Sequence, residues 1–272
     1  MMGCLRLFTI CLVLMVPGLA TAQSGSGLVR LTDRDDLLGW EAVGRLDMAG
    51  TGFCTGTLIA PDLVLTAAHC VYDSRTNAPL LAKNLTFRAG LRDGVSIAER
   101  KVLQVAAHAG YRPELNMTRD NVRQDVALLR LTQPITSTDA DPFILHSGPL
   151  PGQQVSVASY GKGRTEALSR QRQCQVLRVH DDLMVFDCNV TFGSSGAPVF
   201  TRVGNRGRIV SVISGIAQVN GQKVSLGMSL PAVVADLKAQ MRRNPVTGPG
   251  RDIKRVRVGA GNTGTGAKFI KP

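Results

Sequence analysis

The chain predicts an all-β protein closed by one C-terminal α-helix. Three observations carry that prediction. The apolar runs are short and rich in Val, Ile and Leu; 29 glycines and 13 prolines punctuate them; and helical periodicity is scarce before residue 231. With 272 residues, 44% of them hydrophobic, there is enough chain for one large domain or two smaller cores.

Residues 1–22 read as an export signal: Arg6 near the start, an apolar core over 7–16, then Pro17 and the small-residue pattern Ala20-Thr21-Ala22. That apolar run is shorter than the ~20 residues a spanning helix needs. The expectation is a secreted or periplasmic protein with no membrane insertion once the signal is removed. Removal takes Cys4 and Cys11 with it and leaves Cys54, Cys70, Cys174 and Cys188. An even number in an exported chain predicts disulfides. Three connectivities are open, of which Cys54 to Cys70 and Cys174 to Cys188 are the economical choice. No Cys-x-x-Cys or His-x-x-x-His spacing supports a zinc site, and neither metal nor cofactor is implied.

Residues 23–39 form a small-residue and charged N-terminal segment, and order is expected from Trp40. Apolar runs at 43–48 and 53–59, separated by Ala-Gly-Thr-Gly, suggest a hairpin. Pro61-Asp62 turns the chain into Leu63-Val64-Leu65, and further strands are expected at 85–89, 97–106 and 125–131. Residues 133–152 hold Pro134, Pro142, Pro149 and Pro151 without periodicity, a crossover between two halves. The second half offers strands at 154–160, 174–179, 183–186, 209–216 and 223–229, and an apolar strand from 198. Over 231–243, Val233, Leu237 and Met241 recur at helical spacing, and Arg242 and Arg243 suit the negative end of the helix dipole. Residues 244–272 combine six Lys or Arg with six glycines against Asp252 alone, the composition of a basic, disordered tail.

A formal charge of +12 and a pI near 10.0 favour acidic partners without naming one. The 4% aromatic content argues against a base-stacking platform for single-stranded nucleic acid.

Chemistry concentrates in three stretches. Phe192-Gly193-Ser194-Ser195-Gly196-Ala197-Pro198 sets a serine between glycines at the mouth of an apolar strand. Ser195 reads as a nucleophile, which requires a base within reach and donors aimed at the oxyanion it generates. The same residues are also ordinary hairpin chemistry. Thr66-Ala67-Ala68-His69-Cys70 places an imidazole where packing alone would not ask for one; it is either a satisfied core histidine or a base held by the bridged Cys70. Asp125, at the head of Val126-Ala127-Leu128-Leu129, is either a solvated cap or a buried carboxylate accepting from a histidine nitrogen.

Together these stretches, in the order His, Asp, Ser, resemble the trypsin-like (chymotrypsin-fold) serine proteases, particularly their secreted bacterial branch, which includes glutamyl endopeptidases. Phe53-Cys54-Thr55-Gly56, His108 with Tyr111, and Ser159-Tyr160-Gly161 add weaker echoes, so the likeness spans about residues 40–243. It implies two antiparallel six-stranded β-barrels packed together, the first over 40–132 and the second, with the C-terminal helix, over 153–243. It implies His69 as general base and acid, Asp125 as its orienting partner and Ser195 as nucleophile, with the N–H groups of Gly193 and Ser195 as oxyanion hole. It further implies Asn189 at the floor of the specificity pocket and Ser214 and Gly215 along its wall; His108, His146 and His180 match no catalytic position.

One departure stands out. The animal digestive enzymes of this family have an aspartate before the nucleophile, which pairs with a freed N-terminus; here that residue is Ser194. The expected function is a secreted, monomeric serine endopeptidase acting on polypeptides through an acyl-enzyme, with an anionic polymer or surface as a partner of the basic tail. The alternatives are a weakly active or inactive protease-like protein that binds anionic polymers through its basic surface, and an esterase using the same residues.

Overall fold

The computed structural model describes residues 27–115, 117–146 and 153–246. The predicted signal at 1–22, the end of the crossover at 147–152 and the tail from 247 lie outside the described residues.

The first half contains β1 (Leu28–Arg30), β2 (Val43–Met48), β3 (Gly52–Ala60), β4 (Leu63–Thr66), β5 (Leu85–Ala89), β6 (Ala98–Ala107), the short α1 (Arg119–Arg123) and β7 (Ala127–Leu131). Strands β2-β3-β4-β7-β6-β5 close into an antiparallel barrel. Alternation explains part of it: Leu46, Leu85 and Phe87 are fully buried while Arg45 and Arg88, one residue along the same strands, emerge. The unbroken apolar run Ala127-Leu128-Leu129 has a different cause, because the C-terminal helix covers the outer face of β6 and β7.

The second half contains β8 (Gln154–Gly161), β9 (Arg164–His180), β10 (Leu183–Phe186), β11 (Pro198–Val203), β12 (Arg206–Val219), β13 (Gln222–Met228) and α2 (Pro231–Arg243). The order β9-β10-β13-β12-β11-β8 is closed by the pairing of β8 with β9, giving a second six-stranded ring. Its interior holds Val157, Val176, Met184, Phe186, Val199 and Val210 around the Cys174–Cys188 bridge. In the first barrel Cys54 on β3 is bonded to Cys70 beyond β4. Both economical pairings therefore form, each within one barrel.

Order begins before Trp40, contrary to expectation. Strand β1 lies on β9 in register Val29 to Arg170, and Leu31 and Leu37 are buried. Helix α2 starts at Pro231 and buries Leu237 and Met241 as expected, with Val234 fully buried in place of Val233, which is only partly covered. Gln104 on β6 donates to the carbonyls of Met241 and Asn244, satisfying acceptors that a helix end leaves open.

Candidate active site

The cleft between the barrels encloses about 860 Å³ and is lined by His69, Gly193 and Ser195. After β4 the chain makes a 3-10 turn over Ala68–Val71 that presents His69, while the Cys70 bridge anchors the turn to β3. Asp125 lies just before β7 with 3% of its surface exposed. Its Oδ1 accepts from the His69 backbone N–H at 2.8 Å, and its Oδ2 lies 2.7 Å from His69 Nδ1 and 2.6 Å from Ser214 Oγ. A carboxylate can only accept, so Nδ1 carries the proton and Nε2 is left as the basic nitrogen. Burial disfavours a charged imidazolium, but the Asp125 charge and hydrogen bond outweigh it and raise the His69 pKa above its ordinary value.

The turn carrying Ser195 is built on two left-handed glycines, Gly193 at φ +90° and Gly196 at φ +75°. A Cβ on Gly196 would stand 2.2 Å from Thr66 Oγ1 and 2.3 Å from the Thr55 carbonyl, and one on Gly193 would stand 2.3 Å from the Phe53 ring. Several bonds hold the turn. Thr55 N–H donates to the Ser195 carbonyl and Thr55 Oγ1 to the Gly193 carbonyl, both at 2.8 Å, and Gly196 N–H reaches the Ile213 carbonyl at 2.7 Å. The N–H groups of Gly193 and Ser195 have no acceptor among the described residues, which leaves two donors beside the serine hydroxyl.

Ser194 is buried beneath this turn. Its Oγ accepts from Arg164 Nη2 at 3.0 Å and from the Thr191 N–H at 3.2 Å, and it lies 3.2 Å from the Tyr160 carbonyl and 3.3 Å from Ser159 Oγ. The guanidinium also donates to the Ser159 hydroxyl and carbonyl. No carboxylate pairs with Arg164 among the described residues, and burial pushes its pKa down to about 10. A chain-borne cation thus meets a neutral hydroxyl where the digestive enzymes of the resemblance pair an aspartate with an N-terminus.

The structure brings His69, Asp125, Ser195, Gly193, Ser214 and Gly215 to one cleft or its immediate support. Asn189 is not among them: its N–H is turned to Gln171 Oε1 at 2.7 Å, and the lining passes instead to Val190 and Thr191. His108 accepts from the Gly110 N–H, His146 N–H bonds to Ile209 on β12, and His180 lies exposed beside Asp181. Sequence reasoning missed Thr55, Arg164 and Met117. Met117 also lines the cleft, and its Sδ lies 2.3 Å from where a Cβ on Gly215 would sit, so glycine there makes room for methionine.

Two antiparallel barrels, with a buried Asp-His pair and a glycine-flanked serine at one cleft between them, define the chymotrypsin fold. The trypsin family model matches residues 36–231, and the chain belongs to that family. It is 26% identical over 173 residues to a glutamyl endopeptidase of Bacillus licheniformis, covering 62% of this chain and 52% of the relative. It is 30% identical over 183 residues to serine protease SP24D of Anopheles gambiae, covering 64% of this chain and 60% of the relative. The chain therefore spans about half to three fifths of the length of these curated relatives. A solved Glu endopeptidase in complex with MPD superposes with a TM-score of 0.66 over 81% of this chain and 98% of its own, at 17% identity, a likeness of fold.

Proposed function

We propose that the chain is a secreted serine endopeptidase that works through an acyl-enzyme. The observation that carries this reading is the Asp125-His69 pair, with Nδ1 fixed as donor, sharing a cleft with Ser195 and two unused N–H groups. Ser195 Oγ attacks the scissile carbonyl carbon as its proton passes to His69 Nε2. The carbonyl oxygen, now an anion, accepts from Gly193 and Ser195 N–H. Collapse of this intermediate expels the amine, which takes the proton from His69, and leaves an ester on Ser195. Water then attacks the ester with His69 again as base, releasing the acid and restoring the hydroxyl. Asp125 stays ionised throughout and stabilises the imidazolium.

Substrate selection follows from the walls. Val190, Thr191, Ile213 and Ile216 flank Ser214, Phe192 overhangs the mouth with 81% of its surface exposed, and no carboxylate lines the cleft among the described residues. A lysine or arginine side chain would find no counter-charge there and would meet Lys162, which also lines the cleft, so the favoured residue on the acyl side of the cleaved bond is not basic. An active-site phosphonate probe with Ser195→Ala as control, followed by peptide-library profiling, tests both statements. Wild type should label and cleave after non-basic residues, and Ser195→Ala should lose on the order of 10⁶-fold in kcat. Absence of labelling in folded wild type would sink the enzyme reading; labelling without peptide cleavage would mark an esterase; cleavage after basic residues would refute the specificity.

A further inference from the structure

A second site lies on the outer face of the second barrel and shares no residue with the cleft. Val155, Val157 and Val199 point into the barrel core, so their strand neighbours emerge on the other side. The registers align them: Arg170 of β9 opposite Ala158, Ser156 of β8 opposite Phe200, and Arg202 of β11 opposite Gly207. Trp40 packs on this face, 5.1 Å from the Phe200 ring, with the Arg170 guanidinium 4.1 Å over its own ring. A Cβ on Gly207 would come within 3.1 Å of the Phe200 ring, and the missing side chain helps leave a cavity of about 240 Å³.

The polar groups of this cavity are cationic and incompletely matched. Arg170 Nε is buried without a hydrogen-bond partner, and Nη2 has only Ser156 Oγ, at the limiting distance of 3.5 Å. Arg202 spends its Nε–H on the Gly204 carbonyl in the adjoining turn. Neither arginine pairs with a carboxylate among the described residues, whereas Arg206 at the rim is paired with Asp141. Burial, then repulsion from Arg172 and Arg202, lowers the Arg170 pKa. Stacking on Trp40 offsets part of the cost of holding this charge, but the desolvated Arg170 Nε remains without a partner, and exposed Arg202 adds a like charge beside it.

We propose that this cavity binds a sulfate or phosphate oxyanion, gripped by the Arg170 and Arg202 guanidinia and the Ser156 hydroxyl. Guanidinium forks match the paired oxygens of such groups. At roughly 30 Å³ per water, the volume accommodates a tetrahedral ion with several hydrating waters. The ion can arrive free or as an ester on a larger molecule, and both present the same three-oxygen face. Nothing in this site involves Ser195, so it stands or falls independently of proteolysis.

Trp40 is the single tryptophan of the chain, so tryptophan fluorescence of the full-length protein reads this cavity. Titration with sodium phosphate and sodium sulfate is compared with sodium chloride at matched ionic strength. A saturable change with the oxyanions beyond the chloride response is expected, weakened at least about tenfold by Arg202→Gln and unaffected by Arg178→Gln, an exposed change elsewhere on β9. Phosphorus NMR line broadening of inorganic phosphate should follow the same ranking, with circular dichroism checking that each variant is folded. Displacement of phosphate by a short sulfated oligosaccharide at lower concentration identifies an ester-borne ligand, and failure to displace it identifies the free ion. An oxyanion response no larger than that of chloride, or one unchanged in a folded Arg170→Met/Arg202→Gln variant, overturns the proposal.

Discussion

Asp125 illustrates how much can rest on one carboxylate. Its three donors come from two residues far apart in sequence, His69 and Ser214, one in each barrel, so a single group orients the base and ties the halves together. Because the His69 pKa is raised, the neutral base required for attack is lost below a pH that lies above 6.5. The acid limb of kcat/KM should therefore fall above pH 6.5 in wild type and move down in Asp125→Asn, with kcat lower by on the order of 10⁴-fold; a limb unmoved by the substitution would dissociate the pair from catalysis. The same shift has a stability consequence. Extra stability from the protonated pair is fully present below pH 6.5 and is lost as pH rises through the folded value.

Arg164 acts at one remove, through Ser194, on the turn that carries the nucleophile. It is a positioning residue: Arg164→Met is expected to lower kcat by up to about 100-fold with little change in KM, and Arg164→Lys to recover part of the loss. Equal loss in both variants with a raised KM would instead indicate a general disturbance of the cleft.

Among the elements, the turn over residues 191–197 is the least tolerant. Gly196→Ala must adopt a left-handed backbone and displace two main-chain neighbours, so urea unfolding should report a loss of more than about 2 kcal/mol. On the opposite side, Leu237→Ala removes the middle of the buried stripe of α2 and should cost about 2–5 kcal/mol. The two substitutions probe different things. The first should damage activity more than stability, the second stability more than activity, and reversal of that ranking would contradict the division between site and support.

How far these elements could be read from sequence depended on whether their own side chains carried the pattern. Strands β2, β5 and β10 run from the expected first residue to the expected last because each carries its own apolar signal, alternating in β5 and unbroken in β10. The first part of β9, Arg164 to Gln173, was not legible: it is extended because β8 flanks one edge and β1 the other, not because Arg, Glu and Gln prefer strands. Three-residue β1 has no pattern to show. In the site, His69, Asp125 and Ser195 announce themselves by unusual neighbours, whereas Arg164 opens β9 directly after an unremarkable glycine turn, 30 residues from the hydroxyl it holds. Asn189, reached by counting back from Ser195, does not line the cleft; its N–H donates to Gln171 Oε1, a contact that counting along the chain cannot foresee.

At the scale of the whole molecule, the cations divide into paired and unpaired sets. Arg45 reaches from β2 to Glu166 and the Thr165 carbonyl and so bridges the barrels, and Arg88 pairs with Asp47 and Glu99. The basic segment beyond α2 is proposed to hold an anionic polymer. Because Asn244 accepts from Gln104, truncation is best made after residue 246. Removing 247–272 should leave peptide hydrolysis intact and flatten the salt dependence of polyanion binding; lost hydrolysis would assign the segment a structural role.

Each disulfide closes a loop within its own barrel, so among the described residues no covalent bond other than the chain itself crosses the interface. His69 and Asp125 belong to one half, Ser195 and Ser214 to the other. The protein is thus a natural candidate for a two-piece switch. Fragments cut within the crossover should each be silent, and mixing them should restore labelling of Ser195 with second-order kinetics, turning proximity of any two fused partners into a proteolytic signal.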